Sequence, residues 1–487
     1  NNSLRNCVQW HMEQQQTKLS LIGLIAIVVG GIIGGGIFNI AKILAHQASL
    51  GAIIISWIIS GIGILAIALT FKTLISVRPD LSNGIYSYTR SGFGEYVGFN
   101  IAWGYWMGNA IGNAVLAIML NDAFGLFFPL LLKHSWPTLI FCSIFTWLFT
   151  FIVARGMKLA ATINTLSTIL KFSSLLLIIF LLFSFADYSL MDFDFWGKES
   201  HLGPLSDQIN STMLTTLFFF MGIEGAMVVS SRALRQADVG KATVIGYIIC
   251  LFLNVIICIL SFGFMPQSQL AQLNDPSLAQ ILGKGVGEWA RIFVNVSVII
   301  AVAGAWLVGT IIAAELPAQA ARDRVLPAWF AKTNRYKAPI ASLLITSAFI
   351  QLFFFLVIKA PHFYLLSIDI SGILILPTYI FSAMFMVKSG LHKEIYQDKN
   401  ILRQIAIIIG TTAVLYCLWV IYAGNIHLLL LSSGVYIIGI LFYEITHWND
   451  RKAGIPIFKI TDRYVIGLLA AALFFSLLIE WKFLDFK

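Results

Sequence analysis

A cluster of glycines interrupts a hydrophobic stretch near the start of the chain, in the segment 28–38, which reads VVGGIIGGGIF. The surrounding run, 19–46, is long enough to cross a bilayer, and Gly34 lies near its middle. Glycine holds a helix poorly, and irregular backbone at membrane depth is tolerated only where protein or a water-filled cavity covers it. We therefore predict that this helix is broken near the bilayer centre and lines a cavity.

A second hydrophobic run, 211–233, carries a matching interruption at 222–225, where the sequence GIEG places an acid between two glycines. Two interrupted segments at corresponding places in the two halves of a membrane chain indicate a transport site near the bilayer midplane. The alternative is close helix packing, because Gly30 and Gly34 also fit the small-xxx-small spacing of helix interfaces. The carboxylate within the second interruption favours a transport site.

Composition places the whole chain in a membrane. Of its 487 residues, 59% are hydrophobic and only 11% are charged, whereas soluble domains carry about 25% charged residues. The net charge of +9 does not indicate a nucleic-acid partner, because the sequence has no lysine- or arginine-rich tract. Its five cysteines show neither a disulfide framework nor a metal-binding spacing. We expect no metal and no cofactor.

Thirteen apolar runs have the length of a membrane span, and we number them spans 1 to 13. They cover 19–46, 51–76, 95–124, 134–155, 162–185, 211–233, 240–265, 289–316, 338–358, 364–388, 402–422, 427–446 and 464–481. The protein is thus predicted to be an all-α polytopic membrane protein with 12 or 13 transmembrane helices, depending on whether the last run spans. Span 1 is too long and too intact for a cleaved signal peptide.

The lysines and arginines fall almost entirely on one side when the loops are assigned alternately. The long loop 187–210, on the other side, holds five acids and one lysine. By the positive-inside rule the N-terminus is cytoplasmic, and an odd number of spans would place the C-terminus outside.

Spans 1 and 6 then cross the membrane in opposite directions, and each carries its interruption. This pattern predicts an inverted repeat of five plus five spans with two discontinuous helices. The predicted divisions are a cytoplasmic N-terminal tail at 1–18, a first repeat at 19–185, a second repeat at 211–388, and appended spans 11 to 13 at 402–487.

A broken helix presents two unpaired backbone ends to the cavity. The second half of span 1 starts near Gly36, where free N–H groups and the positive end of the helix dipole suit a carboxylate. The first half of span 6 ends near Met221, where free carbonyls suit an ammonium group. Together the two ends predict a receptor for an α-amino acid.

Two charged residues lie deep within the predicted spans. Glu224 is predicted to carry a coupling proton, to sense substrate or to trigger closure; the alternative is a protonated glutamate bonded to a neighbouring helix. The Lys171 ammonium is predicted to stand where a sodium ion would otherwise brace the broken helix against span 8; the alternative is a structural ion pair. Sodium coupling is disfavoured, because segment 301–305 (AVAGA) lacks the hydroxyl oxygens of a sodium site.

Other polar and aromatic residues also mark the cavity. Asp369, near the start of span 10, would hold a cationic side chain or cap the helix. Asn109 and Asn113 share one face of span 3. Trp306 and Phe218 offer aromatic surfaces for gating or for stacking a guanidinium, although single aromatics more often serve packing.

Several motifs together resemble those of the amino acid/polyamine/organocation (APC) transporters. They are the glycine segment 30–38, FMGIEGA at 220–226, the loop 79–88 with NGIY at 83–86, and AARD at 320–323. The sequence GIEGA at 222–226, with SSRA at 230–233 and VGKAT at 239–243, most resembles basic amino acid antiporters of the arginine/ornithine type. The resemblance covers spans 1 to 10 and much of the remainder.

This resemblance implies the five-plus-five inverted-repeat (LeuT-like) fold and alternating access. It also implies a substrate site formed by Ile33, Gly34, Gly35, Gly36, Asn113, Phe220, Met221, Gly222 and Trp306, with coupling or gating by Glu224, Lys171, Phe218 and Asp369. Gly35 stands where related arginine exchangers commonly have serine, and Phe218 where some have a gating tryptophan. Asp369 is not expected from the family pattern.

These observations predict a secondary active transporter of the bacterial inner membrane that exchanges cationic amino acids, such as arginine for ornithine. No phosphate-binding loop for ATP occurs, and we do not expect an enzyme. The alternative is a proton-coupled symporter of neutral amino acids. A sensor is disfavoured because no loop reaches domain size. The expected partners are the amino acid substrate and the lipid bilayer, with a homodimer left open.

Overall fold

Each predicted span is helical in the computed structural model, which describes residues 18–81, 85–133, 135–192, 194–359, 362–392, 396, 400–424 and 426–484. Within these ranges the only β-type pairing is an isolated bridge between Leu19 and Ala233. The all-α prediction is therefore confirmed. Residues 1–17 of the predicted tail, and Asn83 and Gly84 of the NGIY motif, lie outside the described residues.

The uninterrupted spans begin and end close to the predicted limits. They are span 2 (Leu50–Val77), span 3 (Glu95–Gly125), span 4 (Trp136–Ala154), span 5 (Met157–Phe185), span 7 (Gln236–Ser261), span 8 (Glu288–Arg322), span 9 (Ile340–Lys359), span 10 (His362–Leu391), span 11 (Asn400–Ala423), span 12 (Ile426–Thr446) and span 13 (Ile460–Leu484). Short helices connect them at Ile85–Phe93, Ser189–Asp192, Gln267–Leu270, Ser277–Gly285 and Trp448–Lys452. Further 3-10 turns lie at Pro79–Leu81, Pro129–Lys133 and Ala328–Ala331.

Spans 1 and 6 are both discontinuous, as predicted. Span 1 consists of a helix Leu21–Ile32, a 3-10 turn Gly36–Asn39 and a second helix Ile40–Gln47. Span 6 begins six residues earlier than predicted, with the helix Leu205–Phe218, and resumes after the break only as Gly225–Val228 and the 3-10 turn Ser230–Arg232. Each interruption coincides with its glycines, because glycine stabilises helical backbone least among residues other than proline.

Ten helices in the described part of the chain are long and apolar enough to cross a membrane, and span 13 is among them. Spans 3, 6 and 9 are not among the ten, yet they pack inside the same bundle. The protein is therefore a multi-pass membrane protein. Large apolar side chains such as Ile22, Trp136 and Phe180 are 70%, 70% and 62% exposed on the outer faces, where a bilayer covers apolar surface.

The two broken spans lie at the centre of the bundle. Span 1 packs against spans 5, 7 and 8, and span 8 packs closely against span 3. Span 10 also packs against span 3 and extends the packing to spans 11 and 12. The division into two repeats and an appended segment stays a prediction.

Candidate functional site

The backbones of the two breaks touch each other at Gly31 and Gly222. Gly222 has φ +103°, a conformation that residues with a Cβ rarely adopt. A Cβ added there would lie 2.9 Å from the carbonyl carbon of Gly31 and 3.2 Å from the nitrogen of Ile32. Glycine at 222 is therefore required twice, by the backbone angle and by the close approach of span 1.

Unpaired backbone groups flank this crossing on both sides. In the described backbone, no carbonyl accepts a hydrogen bond from the amides of Gly35, Gly36 or Ile37, which begin the second half of span 1. Nor does any backbone amide donate to the carbonyls of Phe219 or Met221. The first set is a partial positive end and the second a partial negative end, as predicted from the sequence.

A cavity of about 150 Å³ lies between these ends, which is large enough for a small organic molecule. Its walls come from spans 1, 3, 6, 8 and 10. They are formed by Gly31, Ile32, Gly34, Gly35, Gly36, Tyr105, Asn109, Gly112, Asn113, Val115, Leu116, Met119, Phe218, Phe219, Met221, Gly222, Glu224, Ala305, Val308, Gly309, Ile312, Ile368, Ser371 and Ile375. The structure thus brings together most of the predicted substrate residues.

An asparagine pair of span 3 forms part of the polar lining of the cavity. The side-chain amide of Asn113 donates to the side-chain oxygen of Asn109 at 3.2 Å, while its own oxygen is buried and has no partner among the residues that the structure describes. That oxygen lies over Gly309, where an added Cβ would overlap it. An unpaired buried acceptor costs free energy, so a ligand that donates a hydrogen bond here would be favoured.

Three of the predicted substrate residues do not line this cavity. Ile33 lies in the span 1 break but turns its carbonyl to Lys171. Phe220 packs edge-on against Trp57, with ring centres 6.1 Å apart. Trp306 packs edge-on against Phe149 at 5.0 Å and lines a separate space of about 10 Å³ on span 8.

Glu224 is held by two phenols from different spans. Its carboxylate oxygens accept hydrogen bonds from Tyr105 of span 3 and Tyr379 of span 10, each at 2.6 Å. The residue is only 1% exposed. The acid inside the span 6 break therefore ties that break to both neighbouring walls of the cavity.

Lys171 of span 5 closes the broken end of span 1. Its ammonium donates to the carbonyls of Gly30 and Ile33, each at 2.9 Å. Two turns earlier on span 5, the Asn164 side chain donates to the carbonyl of Ala26 at 3.0 Å. The lysine charge thus stabilises carbonyls that the interrupted helix leaves without backbone donors. Among the residues that the structure describes, no cluster of histidine, cysteine and acidic side chains could hold a metal ion.

Replacing Lys171 with methionine is expected to lower the free energy of unfolding by about 3 kcal/mol, because two buried carbonyls lose their donor at about 1–3 kcal/mol each. Thermal unfolding of the purified protein in detergent measures the effect. The exposed Lys241, changed to methionine, should shift stability by less than about 0.5 kcal/mol. Equal stability of both variants would show that the two carbonyl bonds contribute nothing.

Of the two remaining predicted residues, Phe218 lines the cavity and Asp369 does not. Phe218 is the last residue of the first helix of span 6 and lines the cavity. Asp369 is exposed on span 10 and is not among the lining residues, although its neighbour Ile368 is. Their predicted roles in gating and in attracting a cation stay predictions.

Comparisons with known proteins agree with this architecture. A family model described as amino acid permease matches residues 19–442. The chain belongs to the amino acid permease family. An arginine/agmatine antiporter of Chlamydia trachomatis serovar L2 is 40% identical over 477 residues, which cover 95% of this chain and 98% of that protein. The protein of the same name from Chlamydia pneumoniae is 40% identical over 468 residues, covering 94% and 96%.

Family membership confirms the resemblance to APC transporters, and this permease is a transporter rather than an enzyme. Sequence reasoning missed both partners of Glu224. Tyr105 had a usable signal, because Tyr105, Asn109 and Asn113 are spaced by four residues and so share one face of span 3. Tyr379 had none, since nothing in the local pattern of span 10 distinguishes it from a packing aromatic.

Proposed function

We propose that this permease exchanges arginine for agmatine across the bacterial inner membrane by alternating access. The observation that carries the proposal is the crossing of two broken helices, whose free amides and free carbonyls belong to residues that line one cavity. The α-carboxylate of arginine would bind the amides at Gly35 to Ile37. Its α-ammonium would bind the carbonyls of Phe219 and Met221.

The relatives named arginine/agmatine antiporter support agmatine, in place of the ornithine that the sequence suggested, as the counter-substrate. Agmatine is arginine without its carboxylate, and it keeps the amine and the guanidinium. Both substrates would therefore use the carbonyl end, and only arginine would use the amide end. The guanidinium, which has donors only, complements the unpaired oxygen of Asn113.

We assign the remaining predicted residues to the opening and closing of the cavity and to the attraction of substrate. Glu224, bonded across spans 3, 6 and 10, would couple occupancy of the cavity to closure. Phe218, on the cavity wall, would act as an aromatic gate. Trp306, packed against Phe149 of span 4, would hold span 8 in position. Lys171 would take the place of a bracing sodium ion. Asp369 would attract cationic substrates toward the cavity.

Charge balance gives the proposal a measurable signature. Arginine carries a net charge of +1 and agmatine +2, so each one-for-one exchange moves one charge across the membrane. A charge crossing 100 mV is worth about 2.3 kcal/mol, or about 50-fold in the equilibrium ratio of substrates. Exchange in either direction should therefore respond strongly to membrane potential.

We expect proteoliposomes loaded with agmatine to take up labelled arginine at least ten times faster than empty ones, because an exchanger returns slowly without substrate. A potassium-diffusion potential set to either sign should shift the plateau in opposite directions. Equal uptake into loaded and empty vesicles would refute exchange. Uptake of neutral amino acids into empty vesicles, driven by an imposed proton gradient, would support the symporter alternative.

The orientation is tested by labelling introduced cysteines. Glu199→Cys lies in the acidic loop 187–210 and Lys241→Cys at the start of span 7, and both positions are exposed. With the N-terminus cytoplasmic, a membrane-impermeant maleimide should label position 199 in intact cells and position 241 only after lysis. Cys7 is replaced by serine, and the described native cysteines are buried. The reverse pattern would invert the proposed topology.

A further inference from the structure

An open groove runs between the first turns of spans 1 and 5, away from the central cavity. It has a volume of about 470 Å³. Its walls are formed by Lys18, Leu19, Ser20, Ile22, Gly23, Lys158, Ala161, Thr162, Thr165, Leu166 and Ile169. Spans 1 and 5 pack side by side and begin at the same end of the bundle, so both lysines lie at that end.

Most of the groove wall is suited to hydrocarbon. Ile22, Leu166 and Ile169 are 70%, 60% and 57% exposed and are free to contact bilayer. The hydroxyls of Thr162 and Thr165 bond carbonyls of their own helix, those of Lys158 and Ala161, at 2.9 and 2.8 Å. Because both hydroxyls already donate hydrogen bonds within the helix, neither needs a polar ligand as an acceptor.

The end of the groove is positively charged. Lys18 and Lys158 are both exposed, and the groove wall contains no acidic side chain. Lysine side chains at the end of a span extend toward the head-group layer, with their stems along apolar surface. Basic pockets between transmembrane helices bind the head groups of anionic lipids.

We propose that this groove binds one anionic phospholipid, with an acyl chain along the span 5 wall and its phosphate between Lys18 and Lys158. Charge complementarity selects the anionic head group, and the open apolar wall selects a bilayer lipid over a soluble anion. The lining of this groove shares no residue with the lining of the substrate cavity.

The purified full-length protein in detergent is titrated with phosphatidylglycerol, and bound lipid is counted by native mass spectrometry. The double variant Lys18→Gln/Lys158→Gln should bind about 30-fold more weakly, because each lysine near anionic lipid contributes about a factor of five. The control double variant Lys241→Gln/Lys332→Gln removes two exposed lysines elsewhere and should bind within twofold of the native protein. Equal affinity of the two double variants would overturn the proposal.

A steric variant separates the groove from general attraction by charge. Thr162→Trp keeps both lysines and adds bulk at an exposed position of the wall, so phosphatidylglycerol binding should fall at least tenfold. Unchanged binding would overturn the proposed position of the acyl chain along the span 5 wall. Equal affinity of the native protein for phosphatidylcholine, or equally strong binding of inorganic phosphate, would overturn the anionic-lipid assignment. So would binding that occurs only after residues 1–17 are deleted, since the tail would then be the occupant.

Discussion

Replacing Gly222 with alanine is expected to lower arginine exchange about 100-fold, the scale on which a displacement of about 1 Å disables a preorganised site. The added Cβ would lie 2.9 Å from the carbonyl carbon of Gly31, so the two breaks must separate. The positive φ of +103° adds backbone strain. Countertransport in proteoliposomes, normalised to the amount of folded protein inserted, measures the loss.

Two control variants separate the causes of this loss. Gly203 also has a positive φ, +82°, but an added Cβ there meets no atom within 4 Å; Gly203→Ala therefore carries strain without the contact. At Gly31 the nearest atoms would lie at 3.5 Å or more, so Gly31→Ala should be milder than Gly222→Ala. Full exchange by the Gly222→Ala protein would show that the close crossing of the breaks is not needed for transport.

Replacing Glu224 with glutamine is expected to preserve the fold and to lower turnover at least tenfold. A glutamine side chain still reaches both phenols, by accepting from one of Tyr105 and Tyr379 and donating to the other. It cannot carry the negative charge or exchange a proton. Exchange measured across a range of external pH, beside thermal unfolding, reports function and stability separately. Unchanged kinetics at every pH would remove Glu224 from the mechanism.

Three further variants separate the tie across spans from the charge. Glu224→Ala leaves two buried phenols without partners, which should cost about 3 kcal/mol of unfolding free energy. Tyr105→Phe and Tyr379→Phe each remove one bond and keep the acid. If the phenols act only through the side chain at position 224, their effects on turnover should largely disappear in the Glu224→Ala background, as a double-mutant cycle would detect.

Most of the architecture could be predicted from the sequence, because in a bilayer the backbone structure depends largely on local composition. An apolar run of spanning length has to be helical, since no water is present to pair its backbone. Glycines within such a run mark where the helix ends, and the free amides after Gly34 followed from that position. The same reasoning gave the free carbonyls of the span 6 break.

Side-chain positions were harder to anticipate. Lys171 was expected near the break of span 1, and the structure adds that its ammonium bonds the carbonyls of Gly30 and Ile33. Trp306 was expected in the substrate site, yet the structure directs it toward Phe149. Successive side chains of an α-helix are rotated by about 100° about the helix axis. A small difference in how the helix packs therefore decides which side chains reach a cavity.

The sequence alone determined that the apolar runs are helical, where the two interruptions lie and the chemical character of the ends they expose, because each depends on residues that are close together in the chain. Only the tertiary structure decided that the breaks touch at Gly31 and Gly222, and that Tyr379, 155 residues from Glu224, holds its carboxylate. Such contacts depend on the angles and rotations at which distant helices pack, and no local pattern in the chain specifies them.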